Sequence, residues 1–248
     1  MTSPAQRHML RVSAMEAAQR EDNPLRYATG YEQMLVKLAA DRTKLKQIHS
    51  KETKAVHKRA MLPAYAPWVA GALADGRGAQ DDILMTVMQW TLDADDIPGA
   101  LVIARYALQH RLVTPNNKRP TPYLLAEDVA LSAERSRKAG KPVAISDLLD
   151  ALAMVADADM PDEVRAKLHK VIGLMLSEAG DFAQALEHLN EAMRKDPNAG
   201  VKKDIQRCES ALKPKPAPVA KRTTSRPRKA AATPAKRGRP PKAKTIAG

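Results

Sequence analysis

The stretch AKLHKVIGLMLSEAGDFAQALEHLNEAMRKD, residues 166–196, decides the fold. Gly173 and Leu176 fall on one predicted helix, Gly180-Asp181 supplies a turn, and Ala185, Leu189 and Ala192 recur at helical spacing beyond it, with Pro197 after the end. Glycine and alanine at these places leave room for two helices to pack closely. The rest of the composition agrees. Of 248 residues, 44% are hydrophobic, enough for a real core, but only 3% are aromatic, so the apolar content is mostly Ala, Leu, Val and Met. That mixture favours helices and argues against barrels and sandwiches.

The small and apolar positions of 166–196 match the tetratricopeptide pattern. A second pair, Gln80 to Leu108, repeats the spacing with Ala100, Ala104 and Ala107 after an Asp95-Asp96 turn but lacks the glycine. Ser3-Pro4, Asn23-Pro24, Thr121-Pro122 and Met160-Pro161 mark further helix starts. The pattern predicts helices near 4–21, 25–59, 64–75, 79–93, 97–111, 122–139, 145–157, 161–179, 181–195 and 199–212. The expected class is all-α, a compact array of helical hairpins with a tetratricopeptide-like pair near the end. Simple helix packing without a binding groove is the plainer reading of that pair.

Charge divides the chain. The net charge of +13 is carried by the end: 213–248 holds twelve Lys or Arg, no acidic residue and seven prolines, whereas 1–212 has 29 basic and 28 acidic side chains. Such a segment cannot bury enough apolar surface to offset chain entropy and is expected to be a disordered basic tail. The expected organisation is therefore N-terminal helices over 1–60, a helical-hairpin domain over 61–212, and the tail over 213–248.

Within the first part, the long helix near 25–59 places Tyr31, Met34, Leu38, Leu45, Ile48 and Ala55 in a three-and-four register broken by Asp41 and Glu52, a seam resembling a short coiled coil. Its other faces carry Lys37, Arg42, Lys44, Lys46, Lys51, Lys54, Lys58 and Arg59 against Glu32, Asp41 and Glu52. This helix either docks on its own core with a solvated basic face, or it serves self-association or nucleic-acid contact.

The sharpest short motif is Lys236-Arg237-Gly238-Arg239-Pro240, followed by Lys242. Arg-Gly-Arg-Pro is the core of the AT-hook: the glycine lets the backbone lie on the floor of a narrow minor groove, while the guanidinium groups enter its negative potential. Lys221, Arg222, Arg226, Arg228 and Lys229 add phosphate contacts. A defined recognition site needs folded side chains aimed at base edges. Arg7, His8 and Arg11, the basic helix, and the loop Pro115–Pro120 are the candidates for it.

Enzyme signatures are weak. Gly71 to Gly78 imitates a phosphate loop, yet Arg77 and Gly78 stand where lysine and Ser/Thr belong, and a helix end explains the glycines. Asp81 and Asp82, Asp93, Asp95 and Asp96, Glu127 and Asp128, and Asp157 to Glu163 are carboxylate clusters. Capping of helix starts accounts for most of them, with metal-dependent cleavage as the alternative. The histidines, His169 and His188 among them, read as packing or surface residues. Catalytic residues stay unassigned, no metal-ligand set is expected, and no cofactor is expected unless the chain is itself a nuclease using a divalent metal. The single cysteine, Cys208, makes no internal disulfide. No apolar run is long enough for a membrane span or signal peptide, so a soluble cytoplasmic protein is expected.

The strings MTSPAQRH (1–8), YEQMLVKLAAD (31–41), GAQDDILMTVM (78–88), DMPDEVRAKLH (159–169) and AKRGRP (235–240) resemble the small terminase subunit of temperate, contractile-tailed enterobacterial phages. The resemblance implies a packaging role in the host cytoplasm: binding double-stranded viral DNA, joining a large ATPase subunit, supporting cohesive-end cutting, and bringing DNA to the portal of an empty procapsid. It also implies a homo-oligomer, with the Tyr31, Met34, Leu38, Leu45, Ile48 seam as the favoured contact. Members are described as the endonuclease subunit, which the residues themselves do not explain. A tetratricopeptide-type adaptor with a localising tail is a further alternative.

Overall fold

The computed structural model describes residues 3–19, 29–115 and 119–213, with side chains left out over 16–19. The described residues all belong to one compact unit, Met1–Lys213. The described residues are all-helical: α1 (Pro4–Gln19), α2 (Gly30–Lys46), α3 (Lys51–Met61), a 3-10 turn (Leu62–Tyr65), α4 (Ala66–Asp75), α5 (Asp82–Asp93), α6 (Ile97–Gln109), α7 (Thr121–Lys138), α8 (Ile145–Met154), α9 (Asp162–Ala179), α10 (Phe182–Lys195) and α11 (Lys202–Leu212).

Helix α5 is buried almost all round, its apolar side chains interrupted by the buried Asp82, Thr86 and Thr91. Every residue from Asp82 to Met88 is buried, and α2, α3, α4, α6, α7 and the 3-10 turn pack around it. Tyr65 of the turn meets Trp90 of α5 edge to face, with ring centroids 5.9 Å apart. The Tyr65 hydroxyl donates to the buried Asp41 carboxylate at 2.9 Å, and Lys37 reaches the same carboxylate at 2.7 Å. Burial alone would push the Asp41 carboxyl up, but the hydrogen bonds from Lys37 and Tyr65 hold it below its usual value.

The hairpin read from 166–196 packs its two helices closely. A Cβ on Gly173 would stand 2.7 Å from Leu189 Cγ and 3.1 Å from the Ala185 carbonyl oxygen. Ala185, Leu189 and Ala192 are fully buried beneath it. Gly180 ends α9 at φ +88°, a left-handed conformation that favours glycine. Helix α11 closes the pair with Ile205 and Cys208, whose thiol donates to Ser177 Oγ at 3.5 Å. The α5/α6 pair follows the same plan: Ala100, Ala104 and Ala107 are fully buried, and Asp95 makes the turn at φ +64°.

One expectation is corrected. The long helix expected over 25–59 is, in its described part from residue 29 on, two helices, α2 and α3, separated at Gln47–Ser50. The hydroxyl of Ser50 accepts the Thr53 amide at 3.2 Å, and a capping side chain offers the backbone an alternative to continuing the helix. At the other end Thr29 and Glu32 form a reciprocal capping box that starts α2. The proposed self-association seam turns inward. Leu38 and Leu45 lie in the chain's own core, with Tyr31, Met34 and Ile48 packed against it.

The glycines give a prediction of opposite signs. Gly173→Ala should destabilise by about 1–2 kcal/mol, because Leu189 has no space to yield and overpacking outweighs the helix-propensity gain of about 1 kcal/mol. Gly71→Ala in α4, where an added Cβ meets nothing within 4 Å, should stabilise by about 0.5–1 kcal/mol. Urea denaturation of both variants checks the pair.

Candidate nucleic-acid and nuclease sites

The motif-borne DNA contacts, Lys221, Arg222, Arg226, Arg228, Lys229, Lys236, Arg237, Gly238, Arg239, Pro240 and Lys242, lie outside the described residues. So do Asn116, Asn117 and Lys118 of the Pro115–Pro120 loop. What can be placed is the body's own charge.

Most cations of the basic region are engaged within the fold. Arg42 donates to Thr86 Oγ1 at 2.7 Å, Lys58 pairs with Asp93, and Arg59 donates to the Ala94 carbonyl, within 3.9 Å of Asp95. Lys37 and Lys44 share Asp41. Lys46 and Lys51 are exposed. Among the N-terminal candidates, Arg11 pairs with buried Asp82 and His8 is exposed. Arg119 pairs with Glu127 and lies over the Tyr123 ring, 5.2 Å from its centroid.

The carboxylates have structural tasks of their own. Asp81 caps α5: one oxygen accepts the Ile83 and Leu84 amides at 2.8 and 2.9 Å, and the other accepts Trp68 Nε1 at 2.8 Å. Asp96 caps α6 through the Gly99 amide at 3.0 Å. Asp95 gathers Arg135 at 3.2 Å and Lys141 at 3.3 Å, and Glu127 also takes Lys167 at 2.9 Å. Asp162 stands in the first turn of α9, 2.9 Å from Lys195. The glycine loop is a helix end: Gly76 caps α4, and the Gly78 amide donates to the Tyr106 hydroxyl at 3.0 Å.

One carboxylate stands apart. Asp128 of α7 lines a polar crevice of about 370 Å³ with Lys58, Gln89, Trp90, Asp93, Arg119 and Leu124. Burial, then the charges of Asp93 and Glu127, push its carboxyl up to about 6. The sequence grouped Asp128 with Glu127 but gave no sign that α3 and α5 would bring Lys58 and Asp93 beside it. No group of three or more His, Cys, Asp or Glu among the described residues is arranged to hold a metal ion. No helix among them is long and apolar enough to cross a membrane.

Comparison with known proteins supplies the identity of the scaffold. The family model described as phage small terminase subunit matches residues 35–163. The chain is also similar to the "Terminase, endonuclease subunit" of Escherichia phage P2, 60% identical over 244 residues that cover 98% of this chain and 99% of that protein. No solved structure matches. With the family model matched over half of the chain and a relative 60% identical over nearly the whole of both proteins, the chain belongs to the phage small terminase subunit family.

Proposed function

We propose that this chain is the DNA-recruiting subunit of a packaging terminase, working in the host cytoplasm. It holds double-stranded viral DNA, joins a large ATPase subunit, and supports cohesive-end cutting on the way to the procapsid portal. Cleavage chemistry resides in the partner, and the chain needs no cofactor of its own. The observation that carries this reading is family membership combined with the charge division: a nearly neutral 1–212 followed by twelve cations without one acidic residue. Phosphate attraction gives affinity irrespective of sequence, and a folded body gives position.

Self-association belongs to the same proposal, but through a different surface from the inward-facing seam. Helix α1 exposes Met9, Val12 and Met15, which are 70%, 37% and 56% accessible and repeat every third residue. Such a stripe on a half-buried helix fits a second copy of the chain. Met9→Glu together with Met15→Glu should reduce the molar mass in multi-angle light scattering. An unchanged mass would remove α1 from the interface.

The DNA half is tested by comparing the full chain with its 1–213 truncation on cohesive-end and scrambled duplexes. Removing 214–248 should lower affinity for both duplexes and flatten the salt dependence. With six phosphates neutralised, the full chain's slope of log affinity against log salt is about −5. Residual preference for the cohesive end after truncation locates readout in the folded body. Absence of any preference between the two duplexes after truncation would favour the adaptor reading.

A second reading, that the chain itself cuts DNA, is favoured by the relative's name and by the Asp128 crevice, where a carboxylate pair and Lys58 converge. Asp128→Asn separates the two. A nuclease supplied with magnesium or manganese would cut cognate DNA and lose the activity in this variant. In the recruiter reading no cutting occurs and the variant gains stability. Because the folded carboxyl titrates near 6 and the unfolded one near 3.8, the native state binds more protons between those values. Stability from this group is therefore full below about 4 and is lost as pH rises through about 6. The shift sets a ceiling of about 3 kcal/mol, which partial solvent access reduces to about 1 kcal/mol at pH 7–8. Denaturation at pH 4 and pH 8 should show the gain only at the higher value.

A further inference from the structure

His169 lies one helical turn before Gly173 on α9, and His188 immediately precedes Leu189 on α10. The glycine that lets Leu189 approach α9 also brings these two rings together. Their centroids are 5.2 Å apart, and Nδ1 of one stands 3.1 Å from Nδ1 of the other. As a hydrogen bond, the contact requires one Nδ1 to donate and the other to accept. The same separation suits two ligands of one metal ion. With zinc–nitrogen bonds of about 2.05 Å, 3.1 Å subtends roughly 100° at the metal, between octahedral and tetrahedral angles.

We propose that His169 and His188 chelate one divalent transition-metal ion of the zinc class through their Nδ1 atoms, the ring that donates in the metal-free contact taking its proton on Nε2 instead by exchange with solvent, and the ion tying α9 to α10. Two nitrogen donors leave the remaining positions to water, so the site is a clamp on the helix pair.

The surroundings fit an imidazole donor pair. Both rings are half-buried, and metal ligation requires neutral imidazole. Burial, then the His188 ring, push His169 down to about 4; Glu191 opposes them, and Lys195 and Arg165 add smaller lowering effects. His188 is also lowered by burial, with Glu187 and Glu191 opposing. Protons therefore compete little with a metal at neutral pH. Glu191, one turn beyond His188, is held by Arg194 at 2.8 Å, so it lends charge without being counted as a ligand. Nitrogen donors select copper, nickel and zinc over magnesium, which prefers oxygen.

The test uses the full chain stripped with chelator and titrated with zinc chloride by calorimetry and thermal melting. One ion should bind per chain and the melting midpoint should climb with zinc concentration, while magnesium at equal concentration leaves it unmoved. His169→Gln and His188→Gln should each weaken binding at least tenfold. His57→Gln, an exposed histidine on α3, should leave it unchanged. Far-UV circular dichroism checks the folding of each variant. Independently of any variant, zinc should slow hydrogen exchange of α9 and α10 amides in the wild-type chain. Absence of binding, or binding that both substitutions retain, or exchange slowed only elsewhere, overturns the proposal.

Discussion

A core with one phenylalanine and two tryptophans in 248 residues cannot be filled by bulk, so helices have to approach closely, and that constraint governs the rest of the fold. It explains the choice of alanine and glycine at the crossings. Ala100, Ala104 and Ala107 seat α6 against α5, and Gly173 lets Leu189 of α10 enter the surface of α9. Close approach in turn brings side chains from different helices within bonding distance. The Tyr65–Asp41–Lys37 cluster and the His169–His188 contact both arise this way, and neither residue set is contiguous in the chain.

The same closeness accounts for how the body handles charge. Guanidinium groups of α3 and α7 reach across to the end of α5: Arg59 to the Ala94 carbonyl, and Arg135 to the Leu92 carbonyl at 3.0 Å. Arg165 closes the end of α8 by donating to the carbonyls of Val155, Ala156 and Ala158 at 3.2, 2.9 and 2.7 Å. Such contacts satisfy carbonyls that a helix end leaves open. A cation engaged in this way is a poor phosphate ligand, because binding DNA would expose the carbonyl it covers. A near-neutral folded body and a separate cationic segment thus follow from one economy of charge.

Much of this was legible because helix punctuation is local. Proline at helix starts and Gly180 at a helix end are signals that act within a few residues, and most helices fall close to their expected positions. The break between α2 and α3 was equally local, carried by Ser50 and Thr53, but the regular spacing of Tyr31, Met34, Leu38, Leu45 and Ile48 masked it. Periodicity identifies an apolar face without saying whether that face meets its own chain or another. Contacts between helices are a different kind of information. That Asp128 would sit beside Lys58 and Asp93, or His169 beside His188, depends on packing angles that no single segment encodes.

The carboxylates show why a nuclease is hard to read into this body. A metal ligand must offer an oxygen lone pair directed at the ion, and a cap directs the same lone pairs at backbone amides. Asp81 uses both oxygens, one for two amides of α5 and the other for Trp68, so metal binding there would release the start of the most buried helix in the fold. Asp96 and Asp95 are committed in a similar way, to the α6 amide and to the cations of α3, α7 and the chain beyond it. Asp128 differs because its raised pKa records a carboxylate that burial and like charge disfavour, without a hydrogen bond from Lys58, which is drawn instead to Asp93. A protein that keeps such a group in a crevice accepts a loss of stability. Where that loss serves cleavage, the crevice would carry the chemistry. Where cleavage belongs to the large subunit, the group's surroundings are set by the crossing of α7 with α5, and relieving its charge strengthens the fold.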